Sequence, residues 1–377
     1  MKKGKIPLYQ EIYTSLLNDI QTGRYETGQQ LPTEQELAEL FQVSKITSRR
    51  AMDLLVDEGY ITRISGRGSF VISSDVEEGA TSQKGPREPS KTLLFGVILE
   101  DFADSYGVEM MKSVESEAAE RDITISLTRS HGRQDVEQAA IQRMLHSGVS
   151  GIILLPVHGE SYNPIVLKLV LERFPLVMID RHLKGLSVPF VGTDNVAAAK
   201  MATDYLIGQG HRSICFMSPP LENTSTIEQR LEGFINSHAE NGVPIERSYW
   251  LTSLTSTIPG KNTADQIQRD ITAIEEHIEK HPDISCIFAV EHNIALIAAE
   301  AINSLGKKIP EDLSVLCFDA PVDFLGKTSF THVLQREKEM GSVAVELLLS
   351  MINGEEVQQK VFLEAELVIR DTVRRVR

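Results

Sequence analysis

Lys45, Arg49 and Arg50 stand close together in residues 43–55, VSKITSRRAMDLL. Lys45 and Arg49 are four apart, so on a helix they share a face, with Arg50 beside them. Ser48, Ala51, Met52 and Leu55 recur at helical spacing on the other side and read as core. The whole chain carries a formal charge of −15, so this cationic face is a local feature suited to phosphates and base edges rather than general stickiness. A second group of chemically capable residues lies downstream. Asp101, Ser130, Asp180, Arg181, Glu291, His292 and Asp319 each follow a short apolar run. Carboxylates and guanidinium groups in such places can grip hydroxyls through charge-assisted hydrogen bonds. Any one of them could instead be a helix cap or a loop charge. The set as a whole points to a cleft.

The elements that must position the first group are short. Tyr9, Ile12, Leu16 and Ile20 form an apolar helical stripe, with Pro7 near its start. LPTEQELAELF opens with a capping box, Thr33 as N-cap and Glu36 three residues on, and buries Leu37, Leu40 and Phe41. The turn QV leads to Ser44, the N-cap of the cationic helix. GYITRISGRGSFVI then reads as two strands joined around Ser65, Gly66, Arg67 and Gly68. Helix, tight turn, helix and hairpin fit the DNA major groove. Lys45, Thr47, Arg49 and Arg50 would face out, with Arg63 and Arg67 on the hairpin. A solvated charged face is the plainer alternative. The tight turn, the second cap and the Gly-rich hairpin all favour DNA.

A composition shift follows. SSDVEEGATSQKGPREPSK has almost no large apolar side chain and reads as a linker. From Leu93 onward TLLFGVILE, ITISLTRS, GVSGIILLP, FPLVMID, RSICFM, ISCIFAV and DLSVLCF alternate with amphipathic helices. Such runs predict parallel strands of an α/β sheet, with ligands bound beyond their carboxyl ends. Cys215, Cys286 and Cys317 show no CxxC spacing and read as core residues of a reducing compartment. Trp250 and Tyr249 could stack on a sugar or belong to the core, and His211 reads as structural. No phosphate-binding, nucleophile-elbow or zinc motif occurs, and no metal or cofactor is expected. No apolar run spans a membrane, and no secretory signal follows the basic start, so a cytoplasmic location is expected.

Residues 31–71, LPTEQELAELFQVSKITSRRAMDLLVDEGYITRISGRGSFV, resemble the winged helix-turn-helix of GntR-type regulators. The resemblance places Ser44, Lys45, Thr47, Arg49, Arg63, Gly66 and Gly68 where that family meets phosphates and bases. Thr33, Arg50 and Arg67 complete the expected DNA-binding set. Three departures stand out. Lys45 replaces an arginine and cannot form a bidentate fork to guanine. Ser48 replaces an inward valine, which should loosen the helix slightly. Gln42 takes a turn position where glycine is common. From Leu93 to about Thr372, FPLVMIDR, VGTDNVAAAKMATDYLIGQGHRSICFM, RLEGF, IPEDLSVLCFD, THVLQREKEMGSVAVELLLSMINGE and ELVIRDT resemble the effector domain of LacI/GalR-type repressors. The resemblance marks Arg230 and Asp319 as effector contacts and puts Asp101 and Asp180 at pocket positions. Glu291 and His292 replace the usual Asn-Asp pair before their helix. The pairing of the two domains resembles the arabinose-operon repressors of bacilli.

The resulting expectation is an α+β winged helix-turn-helix domain (1–73), a linker (74–91) and an α/β periplasmic-binding-protein-like domain (92–377). The large domain should hold two parallel-sheet subdomains, roughly 92–189 with 324–354 and 190–323 with 355–377. The expected function is a sugar-responsive bacterial repressor, a homodimer on operator DNA released by an arabinose-like monosaccharide. It is expected not to be an enzyme. A sugar-processing enzyme using Asp180 and Asp319, or a sugar-binding module with an accessory DNA-binding domain, is the alternative.

Overall fold

The computed structural model describes residues 7–64, 67–72, 93–101, 105–157, 163–222, 224–321 and 330–376. The expected linker (74–91) and Gly66 lie outside the described residues.

The N-terminal unit contains α1 (Leu8–Gln21), α2 (Glu34–Leu40), α3 (Lys45–Asp57), β1 (Ile61–Ile64) and β2 (Gly68–Val71). The two strands pair antiparallel from Ile61↔Val71 to Ile64↔Gly68. Ile12, Leu16 and Ile20 of α1 pack with Leu37 of α2, Ala51, Met52 and Leu55 of α3, and Ile61 and Val71 of the hairpin. Both caps form as expected. Thr33 Oγ1 accepts from Glu36 N at 3.2 Å while Glu36 Oε2 accepts from Thr33 N at 2.7 Å, and Ser44 Oγ accepts from Thr47 N. Gln42 adopts φ 54°, the left-handed conformation that glycine adopts freely. Ser48, expected to loosen the helix slightly, lies between α2 and α3. Its buried hydroxyl donates to the Glu34 carbonyl oxygen at 2.6 Å, with the Lys45 carbonyl at 3.0 Å. A satisfied buried hydroxyl stabilises where an orphaned one would cost, so Ser48 ties α2 to α3.

The C-terminal unit has two sheets. The first is built from β3 (Leu94–Leu99), β4 (Thr124–Arg129), β5 (Gly151–Leu154), β6 (Leu176–Ile179), β7 (Phe190–Thr193) and β12 (Lys360–Leu363). These strands run parallel in the order β12-β7-β6-β5-β3-β4. The second contains β8 (Ile214–Met217), β9 (Cys286–Ala289), β10 (Ser314–Phe318), β11 (Thr331–Leu334) and β13 (Glu366–Val368), in the order β13-β11-β10-β9-β8. Only β13 is antiparallel to its neighbour among these. Around the first sheet lie α4 (Val108–Ala119), α5 (Gln134–His146), α6 (Pro164–Leu171) and α11 (Glu337–Ile352). Around the second lie α7 (Asn195–Gly208), α8 (Ser225–Glu240), α9 (Ala264–Lys280) and α10 (His292–Ser304).

The sheet pairing moves the expected subdomain boundaries. β7 and β12 belong to the first sheet and β11 to the second, so the chain crosses after Thr193, around Gln335 and after Leu363. The expected crossings at 190, 324 and 355 are each too early. Backbone pairing decides this: FVGT and KVFL complete an open edge beside β6, which their short sequences do not announce. Trp250 packs against Phe216 and Phe234, with ring centroids 6.2 and 6.4 Å away, and so belongs to the core side of the open question. His211 is buried between Ser285 Oγ (2.9 Å) and the Arg374 carbonyl (3.1 Å). All three cysteines are buried.

Two helix pairs approach closely through glycine. A Cβ on Gly233 of α8 would strike the Val196 carbonyl oxygen of α7 and lie 2.9 Å from Ala199 Cβ. At Gly341 of α11 it would lie 2.5 Å from the Met110 carbonyl oxygen of α4. The Val196 obstacle is backbone and cannot swing away. Gly233→Ala is therefore expected to destabilise the folded chain by about 1–3 kcal/mol. Urea unfolding measures this, and an unchanged midpoint would show that α7 and α8 separate at little cost.

Candidate effector cleft and nucleic-acid interface

The carboxyl ends of the strands in both sheets carry the charged residues. Asp180 directly follows β6 and Asp319 directly follows β10, and both aspartates adopt a left-handed backbone, φ 65° and 60°. That conformation is uncommon outside glycine but tolerated by Asp. It turns each chain sharply where the sheet stops. Asp180 is buried and accepts from Tyr106 Oη at 2.5 Å. Arg181 pairs with Glu100, which is also buried, and its Nε lies 3.6 Å from Asp180 Oδ2. Burial opposes the Arg181 charge, but Glu100 and Asp180 outweigh it and raise the pKa.

Arg230 of α8 is buried and belongs to the second subdomain. It donates to Asn195 Oδ1 at 2.8 Å and to the Val290 carbonyl oxygen at 2.5 Å, and its guanidinium lies 3.9 Å over the Phe318 ring. Asp319 accepts from Gln335 Nε2 at 3.0 Å through both oxygens, and Gln335 Oε1 accepts from Thr193 Oγ1 at 2.6 Å. Burial pushes Asp319 up to about 7, against the lowering by the Arg230 charge and the Gln335 hydrogen bonds. Glu291 is likewise raised by burial, with Arg230 and Arg181 acting the other way. These mutual effects bring residues of both sheets into one electrostatic unit. His292 is buried, and burial holds its pKa below the usual value, so it is neutral near pH 7. His292 Nδ1 and the hydroxyls of Ser130 and Ser256 are buried without a hydrogen-bond partner among the described residues. Orphaned polar atoms are uncommon in native interiors and mark places where a ligand or water can bond.

Of the effector residues expected from sequence, Ser130, Asp180, Arg181, Arg230, Glu291, His292 and Asp319 occupy this region. Asp101 does not. Its side chain is 48% exposed and pairs with Arg129 at 2.9 Å. The preceding residue, Glu100, points inward in its place. Successive residues at a strand end face opposite ways, and sequence could not tell which of two adjacent acids faces the cleft. Tyr106, Asn195, Gln335, Glu337 and Ser256 also gave no signal. Glu337 begins α11 and accepts from Gly107 N at 2.7 Å, which fixes the start of α4.

On the winged unit, Lys45 is exposed and Arg49 is 47% exposed, pairing with Glu34 at 3.4 Å. Arg63 bonds Asp53 at 2.5 Å and Glu34 at 3.2 Å. Arg67 is exposed, and its carbonyl accepts from Gln30 Nε2 at 3.0 Å. Gly68 has φ 111°, and a Cβ there would strike the Gln30 amide. Thr33 caps α2. Three residues of the expected DNA-binding set, of which Thr47 and Arg50 were expected to face outward, are engaged within the chain. Ser44 and Thr47 bond Glu172, and Arg50 reaches the carbonyls of Gly148 and Val149.

Residues 8–71 match the family of bacterial regulatory proteins called gntR, and residues 203–373 match the periplasmic binding protein-like domain. The chain is 27% identical to the arabinose metabolism transcriptional repressor of Geobacillus stearothermophilus over 390 residues, covering 100% of both chains. Its fold is similar to the crystal structure of transcription regulator CcpA of Lactococcus lactis, with TM-score 0.65 and 21% identity over 75% of this chain and 100% of that one. It is also similar to a periplasmic binding protein/LacI transcriptional regulator of Alkaliphilus metalliredigens complexed with D-xylulofuranose, with TM-score 0.62 and 20% identity over 75% and 99%. The chain is a bacterial transcription regulator that joins a gntR-family winged helix-turn-helix to a periplasmic-binding-protein-like domain.

Proposed function

We propose that the chain is a cytoplasmic, homodimeric repressor that releases operator DNA when a neutral monosaccharide enters the cleft between the two sheets. The observation that supports this best is the set of charges from both subdomains, the buried Asp180 and half-buried Arg181 from one and the buried Arg230 and Asp319 with the half-buried Glu291 from the other. A ligand rich in hydroxyls can both donate to carboxylates and accept from guanidinium groups. The arabinose repressor similar to this chain along its whole length makes an arabinose-like sugar the first candidate. A thermal-shift screen of monosaccharides and their phosphates tests it, because a ligand of the folded state raises the melting temperature. No shift with any neutral sugar would refute the effector assignment.

Binding rather than turnover fits the engagement of the two aspartates. Asp180 is committed to Tyr106 and Asp319 to Gln335, which orients both carboxylates as fixed contacts. A two-fold dimer would present two copies of α3 to half-sites spaced by whole helical turns.

On the DNA side, Arg49→Ala should weaken operator binding by about 1–3 kcal/mol without unfolding the chain. Equal affinity at matched salt would remove Arg49 from the reading face. In the cleft, Arg230→Ala should give a repressor that holds DNA normally but no longer responds to sugar. Early unfolding, or release at the usual sugar concentration, would count against a ligand contact.

Asp319 supplies a pH test. Its folded pKa of about 7 exceeds that of an unfolded aspartate, about 4, so between those values the folded state holds more protons. The stability from this group is complete below the unfolded pKa and lost as pH rises through about 7. Asp319→Asn should therefore flatten the fall of melting temperature across that window, leaving the contribution of the other buried acids. Parallel curves for the two proteins would assign the titration elsewhere.

A further inference from the structure

We propose that the surface formed by the end of α6 and the loop before β5 is a docking site for the recognition helix α3, where the Glu172 carboxylate takes the place of a DNA phosphate. The start of a helix presents unpaired N–H groups and a partial positive charge, which favour an anion. Glu172 meets that end of α3 with both oxygens. Oε1 accepts from Ser44 N at 3.0 Å. Oε2 accepts from Ser44 Oγ at 3.2 Å and Thr47 Oγ1 at 3.0 Å. These are side chains expected to meet phosphates in a winged helix-turn-helix.

The contact extends beyond one carboxylate. Arg50 donates to the Gly148 carbonyl oxygen at 3.2 Å and to that of Val149, while its guanidinium lies 4.5 Å from the Tyr9 ring centroid. Tyr9 and Ile46 face Leu145, Ile165, Leu169 and Phe174 across a shared groove. Arg173 pairs with Glu11 of α1 at 3.0 Å, and Gln10 Nε2 donates to the Ile352 carbonyl oxygen at 2.9 Å. Lys45 and Arg49 stay outside the contact. The docked form thus keeps part of the base-reading face open but occupies the phosphate anchors. A carboxylate and a phosphate cannot share the same donors, so docking and full DNA engagement exclude each other. Glu172 directly follows α6, and the strand after it, β6, leads directly into Asp180 of the candidate effector cleft. The same stretch of chain therefore serves both sites.

This inference rests on the reading of α3 as the DNA-binding helix, and the test separates the two. The full-length protein is compared with Glu172→Ala and with Glu279→Ala, an exposed acid on α9 that controls for the change in net charge. Two quantities are measured: hydrogen exchange across residues 43–48, and affinity for a mixed-sequence duplex at low salt. Glu172→Ala should exchange faster and bind the duplex about tenfold more tightly, because a binding-competent form held in the minority lowers apparent affinity in proportion. Glu279→Ala should do neither. Unchanged exchange in Glu172→Ala overturns the docking contact. Faster exchange with an affinity gain no larger than that of Glu279→Ala overturns the competition with phosphate. Faster exchange with no duplex binding by any of the three proteins overturns the DNA reading of α3, and the phosphate competition falls with it.

Discussion

Charge buried between the two sheets must be matched, and the places where the chain crosses between them supply the matching groups. Arg230 would carry a prohibitive desolvation cost alone. Asn195, just past the first crossing, takes one of its hydrogen bonds, and the Val290 carbonyl at the end of β9 takes another. Asp319 is held by Gln335 at the second crossing, and Gln335 is held by Thr193 at the first. The charged side chains proposed to meet a ligand and the segments that join the subdomains thus form one hydrogen-bonded unit. A rotation of one subdomain against the other has to rearrange these bonds, and a ligand that replaces some of them changes the relative energy of the two arrangements. That differential interaction is what a ligand-driven switch requires.

The winged unit shows the same economy on a smaller scale. The cap residues Thr33 and Ser44 fix the starts of α2 and α3, and the buried Ser48 hydroxyl links the helices. Their positions leave Lys45 and Arg49 facing outward while Ala51, Met52 and Leu55 stay inside. Ser44 then has two tasks. Its side chain caps α3 through Thr47 N, and its own N–H and hydroxyl meet the Glu172 carboxylate. A helix start with free donors can hold a phosphate or a carboxylate, and the fold provides a carboxylate.

Most of the fold was legible in the sequence because it rests on local patterns. Capping boxes, helical stripes and apolar runs are decided within a few residues, and the three helices and hairpin of the winged unit and seven of the strands follow from them. Asp180 and Asp319 were legible as candidates because each follows an apolar run, where the chain leaves the sheet; Arg230 lies within α8 and was marked only by the resemblance of RLEGF. Tertiary structure decided the rest. Whether Glu100 or Asp101 enters the cleft depends on strand parity at its last residue. β7 (FVGT), β11 (THVL), β12 (KVFL) and β13 (ELV) interrupt their apolar residues with polar ones or glycine, and pairing with a neighbour, rather than their own pattern, makes them strands. The crossings moved with them, since sheet membership is a long-range property. The meeting of Ser44 and Thr47 with Glu172 joins residues more than a hundred positions apart. Nothing local in either segment encodes that contact, because it exists only when two folded units present complementary charges to each other.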